Sequence, residues 1–128
     1  LGDVYKRQSL KILSKKYELG VLTNGNADIY RFEIGRYFKF SISSLEAKDN
    51  KPNRSHFDEA SKKLEGIKFD EMLHIGDHQI NDIIGANNLG INTLWFNNNN
   101  NEWEQDSKKP DEFSSWKRLP EIIDKYYG

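Results

Sequence analysis

The 128-residue chain is long enough for one domain with a real core, but not comfortably for two. A formal net charge of -1, with 30% charged and 36% hydrophobic residues, describes a polar globular balance that exerts no overall pull on nucleic acid or an anionic membrane. The lack of cysteine rules out disulfides, thiolate nucleophiles and cysteine-ligated metals; with no apolar run of membrane-spanning length and no secretory pattern, a cytoplasmic protein without nucleic-acid or membrane partners is expected.

Residues 1–8 fit no element well, and residues 3–8 resemble the translated adapter of a sequencing-library transposase. The expectation is a non-native segment over residues 1–8, with natural sequence from residue 9 to 128. Residues 9–17 place Leu10, Leu13 and Tyr17 at helical spacing. Residues 19–22 form an apolar strand running into Thr23-Asn24-Gly25-Asn26. The apolar positions Ile29, Phe32 and Ile34, separated by charges, predict a helix rather than a hairpin. Residues 38–43 alternate at period two and predict a strand exposed on one face. A polar loop over residues 46–53 carries Lys51-Pro52 and leads to a helix over 55–64, with Phe57, Ala60 and Leu64 inward.

A second strand-to-helix unit begins at Met72. Leu73 and Ile75 belong to a buried strand that ends at Gly76-Asp77, and Ile80, Ile83, Ile84 and Leu89 line one side of the helix that follows. Gly90 caps that helix, and residues 91–96 are rich in β-formers. The run Asn97–Asn101 cannot build a core and predicts a solvated loop continuing to Pro110. A short extended piece over 113–116 and a terminal helix over 119–127, with Pro120 in its first turn, complete the chain. Strands alternating with helices predict an α/β fold with a parallel sheet.

In such a sheet the carboxyl ends of the strands share one edge, where ligands bind. Thr23 and Asp77 lie at such ends, and Lys51 lies in the loop after the strand over residues 38–43. A hydroxyl, an ammonium and a carboxylate gathered there suit phosphate chemistry. The Thr23 hydroxyl, the N–H groups at Asn24 and beyond, and the Lys51 amine can bind phosphoryl oxygens. Asp77 and Asp82 are hard oxygen donors for Mg²⁺. Taken singly, Thr23 also reads as a helix cap, Lys51 as a solvated loop residue and Asp82 as a complement to a helix dipole. His74 points to neither group and is expected to be a strand residue with a satisfied ring, and the spacing of His56 and His78 makes no metal site.

Three stretches in this order resemble the motifs of the haloacid dehalogenase superfamily, in the branch with an inserted helical cap. Leu22-Thr23-Asn24-Gly25 is similar to its second motif, Lys51-Pro52-Asn53 to its third, and Ile75-Gly76-Asp77 through Asp82-Ile83 to its fourth. The resemblance covers residues 9–96. It implies a Rossmann-like three-layer α/β domain and an Mg²⁺-dependent phosphatase acting on a small phosphomonoester through an aspartyl-phosphate. Thr23 and Lys51 then act on the phosphoryl group, Asp77 ligates Mg²⁺, and Asp82 supports the metal site or the lysine. Thr23-Asn24-Gly25-Asn26-Ala27 and Ile34-Gly35-Arg36-Tyr37-Phe38 are also similar to bacterial flavin-nucleotide phosphatases of the riboflavin pathway, which makes FMN or a related phosphate the expected substrate class.

The superfamily's first motif, Asp-x-Asp-x-Thr, supplies the nucleophile and the acid/base, and this sequence lacks it. The resemblance therefore implies an incomplete domain, inactive and poorly folded as it stands. Its central first strand, which in an order of 5-4-1-2-3 lies between the strands bearing Thr23 and His74, is missing, which leaves a gap in the sheet. Alternative readings are a C–Cl-cleaving dehalogenase, disfavoured because such enzymes do not need the metal-type acids, and a non-catalytic phosphate-binding module. A phospho-acceptor receiver domain is disfavoured because its acidic pair precedes its Thr/Ser and Lys.

Overall fold

The computed structural model describes residues 2–26 and 28–128. Leu1 of the adapter-like segment and Ala27 of the second motif lie outside the described residues. Helix α1 (Gly2–Ser14) buries Ser9, Leu10 and Leu13 along one face. The segment expected to fit no element is thus part of α1, and the reason lies at the far end of the chain. Lys6 Nζ sits 5.2 Å from the centroid of the Trp116 ring, and Arg7 pairs with Glu33 at 2.7 Å. The Ser9 hydroxyl donates to the Trp116 carbonyl. None of these partners can be seen in a local pattern.

Strand β1 (Gly20–Leu22) pairs in parallel with β2 (Phe40–Ile42), Gly20 opposite Phe40 and Leu22 opposite Ile42. The helix expected between them is replaced by two 3₁₀ turns, Ile29–Arg31 and Glu33–Tyr37. Phe32 between them is extended, at φ -106° and ψ 152°, which breaks any continuous helix. Gly35 packs so closely that a Cβ would fall 2.6 Å from the Ile29 carbonyl oxygen. A short helix α2 (Ser44–Ala47), capped by the Ser43 hydroxyl, opens what the sequence presents as loop. Helix α3 (Ser55–Lys63) buries His56, Phe57 and Ala60.

The second sheet contains β3 (Leu73–Gly76), β4 (Asn92–Phe96) and β5 (Glu112–Phe113), paired in parallel in that order. After β3 the chain winds a π-type turn over Gln79–Ile84 before α4 (Gly85–Asn87). The wider turn changes the helical register. Ile83 is fully buried, whereas Ile80, expected on the same side, is 45% exposed. Helix α5 (Leu119–Tyr127) starts with Pro120 in its first turn, as its sequence predicts.

Apolar clusters cover both faces of the strands. Leu13, Leu94, Phe113, Leu119 and Ile123 join α1 and α5 to one face. Phe40, Ile42 and Ala60, and beside them Phe57, Ala86 and Ile91, form the other. This is the expected three-layer α/β arrangement, with its sheet divided in two. The unpaired edges of β1 and β3 border a groove of about 570 Å³, lined by Leu22, Leu73, His74 and Ile75 and by Phe57 and Ile123 from the two helical layers. Among the described residues, no helix is long and apolar enough to cross a membrane.

Leu94, 1% exposed on β4, sits in the cluster that joins both terminal helices to the sheet. Leu94→Ala is expected to cost about 2–5 kcal/mol, through lost burial and the cavity left behind. Urea-unfolding midpoints of the two proteins measure this.

Candidate active site

The carboxyl ends of β1 and β3 meet around one amine. Lys51, only 9% exposed, lies in the loop before α3, and its Nζ donates to the Leu22 carbonyl at 3.2 Å and to Asp82 Oδ1 at 2.5 Å. One contact belongs to the end of β1 and the other to the turn after β3, so the lysine ties together the two half-sheets. The Asn24 side chain fixes the lysine's own backbone. Its Oδ1 accepts from the Lys51 N–H at 2.7 Å, and its Nδ2 donates to the Lys51 carbonyl at 3.1 Å. With its oxygen and one of its two amide protons committed in this way, Asn24 keeps its backbone N–H and one Nδ2 proton to offer an anion.

Asp82 is buried and engaged through both oxygens. Oδ1 takes Lys51 Nζ and His74 Nε2, the latter at 3.0 Å, and Oδ2 accepts the His78 backbone N–H at 3.2 Å. Gly76 makes room for this, since a Cβ there would fall 2.3 Å from the Asp82 carboxyl carbon. Burial alone pushes the Asp82 pKa up. The His74 hydrogen bond and the charge and hydrogen bond of Lys51 outweigh burial and hold the carboxyl well below the usual carboxylate range. Of the two supporting roles implied for Asp82, these contacts fit support of the lysine. His74 is the expected strand residue with a satisfied ring, but it does not stand apart from the site: it reaches across to Asp82 from β3, its ring edge-on to Phe57 at 5.1 Å. Nothing near His74 in the sequence foretells a partner eight residues on; only the alternation of side chains along β3 could have placed it on that face.

Thr23 is held by three contacts. Its N–H donates to the Ile42 carbonyl at 3.0 Å, its carbonyl accepts from His56 Nε2 at 2.7 Å, and its Oγ1 accepts the Gly25 N–H at 3.0 Å. Because a carbonyl only accepts, the His56 proton resides on Nε2, while Nδ1 is buried with no hydrogen-bond partner. Burial, the largest influence on this ring, pushes its pKa below the usual histidine value. His78 plays a different part. Its Nδ1 accepts from the N–H groups of Ile80 and Asn81 at 3.2 and 2.9 Å, capping the turn that carries Asp82.

Asp77 follows β3 directly and is exposed. Among the described residues, no hydrogen bond or ion pair engages its carboxylate, and no group of three or more His, Asp or Glu side chains is arranged to hold a metal. Asn24, Lys51 and Asp82 are thus brought into one hydrogen-bonded assembly, Thr23 adjoins it through the chain, and Asp77 is not bonded to it. A free carboxylate is the type of donor that Mg²⁺ takes, and Asp77 is the residue that would hold it. The asparagine clamp, His56 and His74 are the parts of the site that the sequence does not reveal.

Replacing Asp82 with Asn leaves a buried ammonium without its counter-ion. Asp82→Asn is expected to cost about 3–5 kcal/mol, read as a lower denaturant midpoint at neutral pH. His56 predicts a pH dependence. Its folded pKa is depressed, so its contribution is complete above the unfolded value of about 6.5 and is lost as pH falls through the lowered folded value. Stability is expected to decline as pH falls below about 6.5, and His56→Gln to flatten that decline; unfolding curves on both sides of that pH measure both slopes.

The chain matches the model of the haloacid dehalogenase-like hydrolase family over residues 7–96. It is 34% identical over 97 residues to the 5-amino-6-(5-phospho-D-ribitylamino)uracil phosphatase of Escherichia coli, covering 76% of this chain and 40% of that protein. It is 27% identical over 119 residues to a pyrimidine 5'-nucleotidase of Streptococcus pneumoniae, covering 89% of this chain and 50% of that protein. Among solved structures, a 2-haloacid dehalogenase from Pseudomonas syringae superposes with a TM-score of 0.87 at 33% identity, covering 93% of this chain and 51% of the other. The chain therefore spans about half the length of these relatives or less. On the family match, which takes in all three strand-end motifs, the chain belongs to the haloacid dehalogenase-like hydrolases.

Proposed function

We propose that this chain is the phosphate- and metal-gripping part of an Mg²⁺-dependent phosphatase for small phosphomonoesters. The observation that carries the reading is the Lys51 amine, held between the Leu22 carbonyl and Asp82 where the two strand ends converge. A cation fixed at that point draws a phosphoryl group to the sheet edge and neutralises its charge. The Thr23 oxygen already accepts the Gly25 N–H, so its own proton is free to donate to a phosphoryl oxygen. The backbone N–H of Asn24 adds a second donor beside it. Asp77 holds Mg²⁺, which when bound offsets the charge of the transferring group.

The nucleophile comes from outside these residues. The groove between β1 and β3 has a free strand edge on each side and apolar walls from both helical layers, as an inserted parallel strand requires. A carboxylate at the carboxyl end of that strand lies beside Lys51 and Thr23 and forms the aspartyl-phosphate, which water then hydrolyses. On this reading residues 9–128 are the later part of the hydrolase domain, residues 1–8 are foreign to it, and the 128-residue chain by itself is inactive. The substrate class follows the relatives: one is named for a ribityl phosphate and another for a nucleotide, so FMN or a riboflavin-pathway phosphate is the first candidate. The likeness to a 2-haloacid dehalogenase favours C–Cl cleavage as a second reading. The unengaged Asp77 carboxylate favours phosphate.

The test compares the 128-residue chain with the same chain preceded by an apolar strand ending in Asp-x-Asp-x-Thr. Phosphate release from p-nitrophenyl phosphate and FMN is followed with and without Mg²⁺, and chloride release from 2-chloropropionate in parallel. Metal-dependent phosphate release by the extended protein alone is the expected result. Turnover by the 128-residue chain, or chloride as the sole product, would overturn the proposal.

A further inference from the structure

The asparagine run after β4 is exposed over Asn98–Asn101, as its composition predicts, but its first residue is not. Asn97 is 5% exposed, and its side-chain amide closes a small ring with Asn101: Nδ2 donates to the Asn101 carbonyl and Oδ1 accepts the Asn101 N–H, both at 2.9 Å. The residues that follow are fastened to the turn bearing Asp77. Gln79 Nε2 donates to the Glu102 carbonyl at 2.9 Å, and Gln79 Oε1 accepts the Glu104 N–H at 3.0 Å and Gln105 Nε2 at 3.1 Å. On the other side of Asp77, the indole N–H of Trp95 donates to the Asp77 carbonyl at 3.0 Å. Trp95 is 1% exposed, and Trp103 lies edge-on against it at 5.4 Å. Trp103 in turn donates to the Ser107 carbonyl at 2.8 Å.

We propose that residues 97–105 form a strap that fixes the backbone of the Asp77 turn, with Gln79 and Trp95 as positioning residues that set how tightly Asp77 holds a divalent cation. The inference rests on the reading of Asp77 as the metal acid. An exposed carboxylate with no bonded neighbour keeps its direction only if its backbone is held. Here the turn is held twice, by its backbone at the Asp77 carbonyl and two residues on by the Gln79 side chain. Both contacts join the turn to β4 or to the segment leaving it, so the second sheet's own framework positions the acid. Outer partners of this kind commonly change metal affinity as strongly as some ligands do.

The experiment uses Gln79→Ala and Trp95→Phe in the 128-residue chain, with Leu94→Ala as a control that weakens the same sheet without touching the turn. Amide hydrogen exchange of the peptide over residues 77–81 reads the strap, and Mn²⁺ titration by electron paramagnetic resonance reads the cation. Each strap variant is expected to accelerate exchange in that peptide while peptides of β1 stay unchanged, and to weaken Mn²⁺ by about tenfold. Unchanged exchange, or a loss of Mn²⁺ affinity no greater than in Leu94→Ala, overturns the proposal. A parent chain that binds no Mn²⁺ overturns the reading of Asp77 as a metal acid and the affinity claim with it. The exchange rates still decide whether the strap holds the turn.

Discussion

The buried pair between Lys51 and Asp82 is the contact on which the rest of the site depends, because it is where the two half-sheets touch through charge. A buried ion pair seldom adds net stability, since desolvation consumes most of the Coulomb gain. Its value here is geometric. The ammonium can satisfy its donors only by reaching both the last carbonyl of β1 and the acid that follows β3. Once it does so, the ends of two strands with no ladder between them are held in register. Gly76 allows the acid to approach, His74 and the His78 N–H complete its hydrogen bonds, and Asn24 holds the lysine's backbone.

Around that pair the structure divides its labour. Asp82, His74 and Asn24 are engaged with Lys51 or with one another, whereas Thr23 retains a hydroxyl proton, the Lys51 ammonium a third N–H and Asp77 a free carboxylate. Fixed contacts hold the assembly, and unspent donors and acceptors remain at its edge. The groove between β1 and β3 follows the same division. Both strand edges there have unused backbone donors and acceptors, which favour pairing with an extended segment over exposure to water.

Much of this was legible in the sequence. The alternation of strands and helices, the strands that end before Thr23 and Asp77, and the terminal helix with its proline all appear where the pattern places them. Elsewhere local pattern fails for identifiable reasons. Residues 29–34 have helical spacing, but an extended Phe32 and the close packing of Gly35 split them into two 3₁₀ turns. The π-type turn after Asp77 throws Ile80 outward. Asn97 is buried because its amide finds a partner in Asn101, which no composition rule anticipates.

By itself the sequence determined the fold class and the order of the chemical groups along the sheet edge. Both rest on short-range periodicity and on the rule that parallel strands end on a common edge. Only the tertiary structure decided which groups pair. It gave Asp82 to a lysine 31 residues away, placed His74 on that acid, laid the first turns of α1 against Trp116, and fastened residues 102–105 to the Asp77 turn. The reason is that a buried charge or amide must find a partner wherever the chain's packing brings one. Such a choice is made across the whole fold, and no stretch of sequence contains it.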